Sequence, residues 1–274
     1  MKIAIICSNI DPISFAVSKI LKHKLNFNTS KLNSIPQSYK LNLNASNEIY
    51  LCEFNKRLIE IESLDLIAMD LIIFVSRHAS QKQINIFSVH ALGNWSNEAL
   101  LGGKPNQLSV SSPINMLKML CILKKNNDTD IDVIYEATHH GPLLNTPSFF
   151  VEFGGNADFT ASELYIQILA DSIIEFINNI EYEGIKQTCE KIAIGIGGGH
   201  YALKFSNISF EKGYAFSHIM PKYYIDKIDM LDQALSKTDI SAQLAVIEWK
   251  SLNSFQKQTL ITKLSKLGLI YEKI

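Results

Sequence analysis

The stretch YEATHHGP, Tyr135 to Pro142, closes an apolar run on a carboxylate and two adjacent histidines. Neighbouring side chains of a strand point to opposite faces, so the two imidazoles cannot share one. The same punctuation recurs along the chain. Arg77 and His78 follow LIIFVS, while His90 ends INIFSVH ahead of Gly93 and Asn94. Glu152 lies within SFFVEF just before Gly154 and Gly155, and Gly197, Gly198, Gly199, His200 and Tyr201 follow KIAIGI. Five of the seven histidines therefore stand at the ends of apolar runs, a concentration that packing alone does not require.

Imidazoles and carboxylates gathered without a Ser or Cys nucleophile motif suit metal-assisted or general-base hydrolysis. Zinc takes neutral imidazole nitrogens and carboxylate oxygens, and an open coordination position generates hydroxide near neutral pH. Glu152 is costly to bury unpaired, so it is expected to face a histidine, a metal or a cation. The first candidates for metal binding or water activation are His139, His140 and Glu152, followed by His78, His90 and His200. The metal set is thus drawn from His78, His90, His139, His140 and Glu152, with its membership open. The catalytic set is His139, His140, Glu152, His200 and Tyr201. No HExxH or HxH pattern occurs, so a metal site here must be assembled from separate loops.

Plainer readings stand beside these. A lone His78 or His90 also fits a capped or solvated strand end, and His139–His140 also fits a turn into Gly141-Pro142. The glycines at 197–199 echo a dinucleotide fingerprint only loosely, lack GxxxxGK[ST], and also fit a tight turn where something approaches closely.

The elements that must position these residues are short apolar runs at 2–7, 48–54, 71–76, 84–90, 132–138, 148–153, 191–197 and 245–249. They are continuous rather than alternating, as in strands covered on both faces. Helical patterns lie between several of them. Ser112-Pro113 opens one, with Leu117, Leu120, Cys121 and Lys124 along its face. Thr160 and Glu163 form a capping box for another, with Leu164, Ile168, Ile173 and Phe176 pointing inward. The last covers NSFQKQTLITKLSK and stops at Gly268. The Asn- and Ser-rich stretch 26–47 reads as an insertion or loop. The expected fold is α/β, three-layer α/β/α around a mixed, mainly parallel sheet. It is expected as a single catalytic domain over 1–274, with room for a small C-terminal appendage from about 225.

Length and composition agree with that reading. A chain of 274 residues, 47% hydrophobic and 19% charged, buries a sizeable core. A net charge of −1 excludes a general polyanion binder. Cys7, Cys52, Cys121 and Cys189 are scattered and read as reduced thiols. No run is long enough to span a bilayer and no cleavage site follows the first strand, so a cytoplasmic protein is expected.

The motifs SRHAS, VHALGNW, EATHHGP, FFVEFGG and GIGGGHYALKF, in this order and spacing, resemble the archaeal and plant type of D-aminoacyl-tRNA deacylase, as does HIMPKY at 218–223. The resemblance covers roughly residues 1–250, with Leu203 standing where the family usually has Pro. It implies hydrolysis of the ester between a D-amino acid and the tRNA 3′ end, zinc dependence, a monomer without an obligate protein partner, and a fold similar to peptidyl-tRNA hydrolase and phosphorylase-like proteins. An aminoacyl ester is an activated acyl group, so a positioned water, a base and oxyanion donors suffice. Gly154, Gly155, Gly198 and Gly199 are candidates for those donors. Tyr201 and Asn94 are candidates to orient the ester or terminal ribose, and Arg77, Lys204 and Lys222 to meet phosphates. Two other readings are a zinc-dependent amidase or esterase that needs no tRNA, and a binding module without catalysis.

Overall fold

Each of the eight apolar runs is a strand in the computed structural model, which describes residues 1–32, 35–44, 46–78, 84–155, 162–180 and 189–274. The N-terminal half runs β1 (Lys2–Ser8), α1 (Pro12–Lys24), β2 (Asn28–Ser30), β3 (Gln37–Asn42), β4 (Glu48–Phe54) and β5 (Leu71–His78). Next come β6 (Ile86–His90), β7 (Gly93–Asn94), β8 (Gln107–Leu108), α2 (Pro113–Asn126), β9 (Asp132–Tyr135), β10 (Ser148–Gly154) and α3 (Glu163–Asn178). The C-terminal part is β11 (Lys191–Ile196), α4 (Leu203–Lys212), β12 (Tyr214–Met220), α5 (Leu231–Ser236), β13 (Leu244–Ile247), α6 (Ser254–Lys266) and β14 (Ile270–Lys273).

These strands form an eight-stranded sheet ordered β2-β3-β4-β1-β5-β10-β6-β9 and a four-stranded sheet ordered β12-β11-β13-β14. The smaller sheet is wholly parallel, whereas β2, β3 and β6 bring antiparallel pairings into the larger one. The mixed, mainly parallel α/β architecture is as the sequence indicates. Stretch 26–47 is a correction: it carries the hairpin β2–β3, which extends the sheet edge beyond β4.

One face of the large sheet carries Ile3, Ile5 and Val75 against Val17 of α1, Met119 of α2 and Ile173 of α3. Asp11 starts α1 by accepting from the Ser14 amide, with Pro12 as the first helical residue, a cap worth about 1 kcal/mol. The opposite face, with Ile6, Phe74 and Phe150, is covered by Leu58 and Ile61 from short 3-10 turns. In the smaller sheet, Ile194 and Ile196 pack on Leu231, Leu260 and Leu264. Gln256 and Asn253 close a capping box at the start of α6.

Two helix-face expectations need correction. Leu164 is 53% exposed, because burial of α3 begins only one turn later, at Ile168. Lys124 lies outside the buried face of α2. Thr160 lies outside the described residues. All four cysteines are free thiols, Cys7 and Cys52 buried and the other two half-buried.

Candidate active site

Alternation along three adjacent strands puts the polar residues on one face. Ser76 and His78 of β5, Glu152 of β10, and Ser88 and His90 of β6 all project beside Phe150, away from α1–α3. Because β6 runs antiparallel to β10, the site spreads over this face and does not sit beyond a common carboxyl edge. Loops complete it. Leu92 bridges His139, and the Gly93 amide donates to the His140 carbonyl at 2.7 Å. From the smaller sheet, the loop after β11 docks by Ala137 N–H to the His200 carbonyl at 2.8 Å and Ala202 N–H to the Tyr135 carbonyl at 2.9 Å.

Three imidazoles meet here with matching orientation. His90 Nδ1 donates to the Ala91 carbonyl at 3.1 Å, His139 Nδ1 to Ala137 at 2.8 Å, and His140 Nδ1 to Gly141 at 2.8 Å. With Nδ1 so committed, Nε2 is the nitrogen each ring has left to ligate, as in metal-binding histidines fixed by a backbone carbonyl. One donor atom from each lies within 4.8 Å of the others, and His90 Nε2 is buried without a hydrogen-bond partner. Burial and the neighbouring imidazoles hold His139 well below the usual histidine range, and burial with His90 puts His140 at about 4. Both are thus neutral at pH 7. His140 also takes φ 42°, a left-handed conformation that costs a non-glycine residue about 1 kcal/mol or more.

Beside this trio lies a carboxylate pair. Glu136 Oε2 is 2.7 Å from His200 Nε2 and 3.7 Å from His139 Nε2, and Glu136 Oε1 is 3.0 Å from His78 Nδ1. None of these contacts is aligned as a hydrogen bond, so both buried oxygens of Glu136 lack an aligned donor. Glu152 accepts from Ser76 Oγ at 2.5 Å and lies 3.4 Å from His78 Nδ1. Burial alone would raise both carboxyls, yet the surrounding imidazoles outweigh it and keep both below the ordinary range. Burial would likewise lower His78, but the two carboxylates raise it to about 11. His78 is thus an imidazolium clamped between them, with Tyr201 OH on its Nε2 at 3.1 Å. His90 is raised by Glu152 against burial, but at 3.8 Å the two are beyond hydrogen-bond length. Neutral imidazoles beside carboxylates are the donors zinc takes, so these residues fit that metal.

The remaining candidates are more dispersed. A cavity of about 460 Å³ opens onto Arg77, His78, Glu152, His139, His140 and His200. Asn94 lines a second cavity of about 410 Å³ that shares only His139, His140 and Leu101 with the first. Gly154 and Gly155 line neither. A Cβ at Gly154 would sit 2.1 Å from the His78 carbonyl oxygen, so this glycine lets β10 approach β5 closely. Gly154→Ala is expected to cost about 1–3 kcal/mol through that clash; an unchanged melting temperature would contradict it. The Gly198 amide is taken by Ser251 Oγ, whereas Gly199 is open. Lys204 pairs with Glu248 at 3.0 Å, and Lys222 is exposed at the surface. Glu136, Ser76 and Asp11, at the heart or wall of the site, were not among the residues assigned from sequence. Glu136 carried the same signal as Glu152, a carboxylate ending an apolar run.

His218 shows a structural histidine by contrast. Its Nε2 donates to the Lys237 carbonyl at 2.8 Å, its Nδ1 lies 3.2 Å from Thr138 Oγ1, and burial lowers it to about 4. The unfolded chain binds this proton near pH 6.5, so stability falls as pH drops from there towards 4. About 2 kcal/mol should be lost at this residue between pH 7 and 5. Urea denaturation of His218→Asn should show a correspondingly smaller acid loss than wild type; equal losses would refute it.

With the geometry in hand, the comparisons are direct. A family model described as D-aminoacyl-tRNA deacylase matches residues 66–271. A D-aminoacyl-tRNA deacylase of Pyrococcus furiosus is 32% identical over 98% of this chain and 98% of its own. Another, of Methanosarcina acetivorans, is 33% identical over 98% of this chain and 91% of its own. A crystal structure of a conserved protein of unknown function superposes with TM-score 0.85 at 26% identity, over 100% of this chain and 95% of that one. Motifs, fold and relatives agree, and the chain belongs to the D-aminoacyl-tRNA deacylase family.

Proposed function

We propose that this chain hydrolyses the ester joining a D-amino acid to the 3′ end of tRNA, with zinc held by His90, His139 and His140. The observation that carries the reading is the gathering of three imidazoles, one nitrogen of each within 4.8 Å of the others, beside the buried, unaligned carboxylate of Glu136. Bound there, zinc would supply Lewis acidity, lowering the pKa of a water and polarising an acyl oxygen.

The protein's own groups do the rest. Glu136 accepts a proton as the water oxygen attacks the ester carbonyl carbon. His200 Nε2, 2.7 Å from Glu136 and 34% exposed at its side chain, relays that proton to the departing ribose oxygen as the carbon–oxygen bond breaks. The products are free D-amino acid and a tRNA with its terminal hydroxyl restored. His78 keeps Glu136 and Glu152 ionised and in place, and fixes the Tyr201 hydroxyl. Arg77, exposed at the wall of the larger cavity, supports phosphate contact. The family resemblance supports a monomer working in the cytoplasm. Among the described residues, no helix is long and apolar enough to cross a membrane.

The test is release of labelled tyrosine from D-tyrosyl-tRNA and L-tyrosyl-tRNA by the same preparation. Rapid loss of the D-ester alone is expected. Equal turnover of both, or of neither, would overturn the reading.

A further inference from the structure

The reacting ester has two sides, an acyl group and a nucleoside, and the protein has two cavities that meet at one pair of histidines. The larger, about 460 Å³, and the smaller, about 410 Å³, share the wall made by His139, His140 and Leu101. Both are of a size that holds a small ligand. Their linings differ in kind. The larger presents the carboxylates of Asp11 and Glu152 together with the apolar Ile10, Leu58 and Phe150, and the exposed Arg57 and Arg77 also line it. An aminoacyl group needs that combination, an anion for its α-ammonium and apolar walls for its side chain. The smaller presents the aromatic rings of Trp95 and Tyr224 with Leu100, Gly93 and Asn94, and holds no lysine or arginine among the described residues. Its one carboxylate, Glu98, is exposed. A nucleobase needs that combination, flat and neutral with an aromatic face to stack on.

We propose that the smaller chamber receives the 3′-terminal nucleoside, with the base against Tyr224, while the larger chamber receives the D-aminoacyl group. This rests on the deacylase reading and adds the placement of both halves of the substrate. Trp95 is buried and forms the fixed floor, whereas Tyr224 is half-buried, with the Tyr223 ring 4.7 Å away and its own amide donating to the Pro221 carbonyl at 3.0 Å. Asn94 commits its amide nitrogen to the Gly102 and Lys104 carbonyls at 2.9 and 3.3 Å. Its Oδ1 is the atom left to accept from a ribose hydroxyl. Leu100, 85% exposed, stands at the chamber mouth. The ester then lies at the shared histidines with Glu136 behind it, and chirality at Cα decides whether the side chain points into the larger chamber.

The test combines binding and kinetics on the full-length protein. Adenosine 5′-monophosphate serves as the probe for the terminal nucleotide, titrated calorimetrically. Tyr224→Ala is expected to weaken its binding at least tenfold and to raise KM for D-tyrosyl-tRNA by roughly 10- to 100-fold. Hydrolysis of D-tyrosine methyl ester, which has no nucleoside, should stay unchanged. Tyr224→Phe, which keeps the ring, should behave as wild type. Leu100→Glu should weaken binding of the monophosphate without changing the melting temperature, and covers the case in which Tyr224→Ala does not fold. Ile10→Trp, which narrows the larger chamber at a 59% exposed position, should slow both esters and leave nucleotide binding intact. Unchanged nucleotide binding in Tyr224→Ala and Leu100→Glu, or its loss in Ile10→Trp, would overturn the assignment. A wild-type protein inert towards D-tyrosyl-tRNA would sink the deacylase reading instead, and the nucleotide titrations would still decide the chamber.

Discussion

Glu136→Gln lowers kcat on D-tyrosyl-tRNA by about 10²- to 10⁴-fold, with zinc content at the wild-type value. The substitution keeps shape and removes the proton acceptor. Glu136 has no side-chain exposure, and its two oxygens reach His78, His139 and His200 without an aligned donor. Such a group is expensive to bury unless it takes part in something. In the proposed site the holding of zinc falls to His90, His139 and His140, which the substitution leaves untouched. His78 loses one of its two anionic partners and keeps Glu152 at 3.4 Å, so the site should remain folded. Single-turnover kinetics with metal analysis reads both quantities on one sample. A kcat within threefold of wild type would remove Glu136 from the proton path, and loss of zinc with activity would move it into the ligand set.

His140→Asn should abolish high-affinity zinc binding and lower kcat/KM by about 10³-fold, the size of several kcal/mol of lost Lewis-acid stabilisation. Asparagine is the informative replacement because His140 sits at φ 42°, a region asparagine enters more readily than most residues. The backbone demand is met, so melting of the metal-free protein should stay within a few degrees of wild type. His140 Nδ1 is already bonded to the Gly141 carbonyl, and only Nε2 is withdrawn from the site. A variant that keeps both zinc and activity would place the metal elsewhere, for instance at the Glu136, His139 and His200 group.

Much of the sheet could be read from the chain because its strands are continuous apolar runs. β12 escaped because Ser217 and His218 interrupt YAFSHIM, though both are buried and hydrogen-bonded. β2 and β3 escaped because an edge hairpin has little to bury, and its residues are largely polar. α1 escaped although Asp11-Pro12 is an orthodox helix start.

The histidines were visible as a group, but their geometry was not. Local pattern does not fix strand order or direction, and placing β6 antiparallel beside β10 puts three of the five strand ends on one face, which loops from the other two complete. The proposed split between zinc ligands and proton carriers rests on the Nδ1 partners, which are backbone carbonyls with no sequence signature. Gly154, a candidate oxyanion donor from its sequence position, also lets β10 approach β5 closely, a contact that no local pattern shows.

The most direct measurement is hydrolysis of D-tyrosyl-tRNA by protein stripped with chelator, then titrated with zinc while L-tyrosyl-tRNA is followed in parallel. The expected result is loss of D-ester turnover on stripping, recovery as zinc is restored, and no turnover of the L-ester at any point. Full activity in the stripped protein, with zinc shown absent, would contradict a metal centre at His90, His139 and His140.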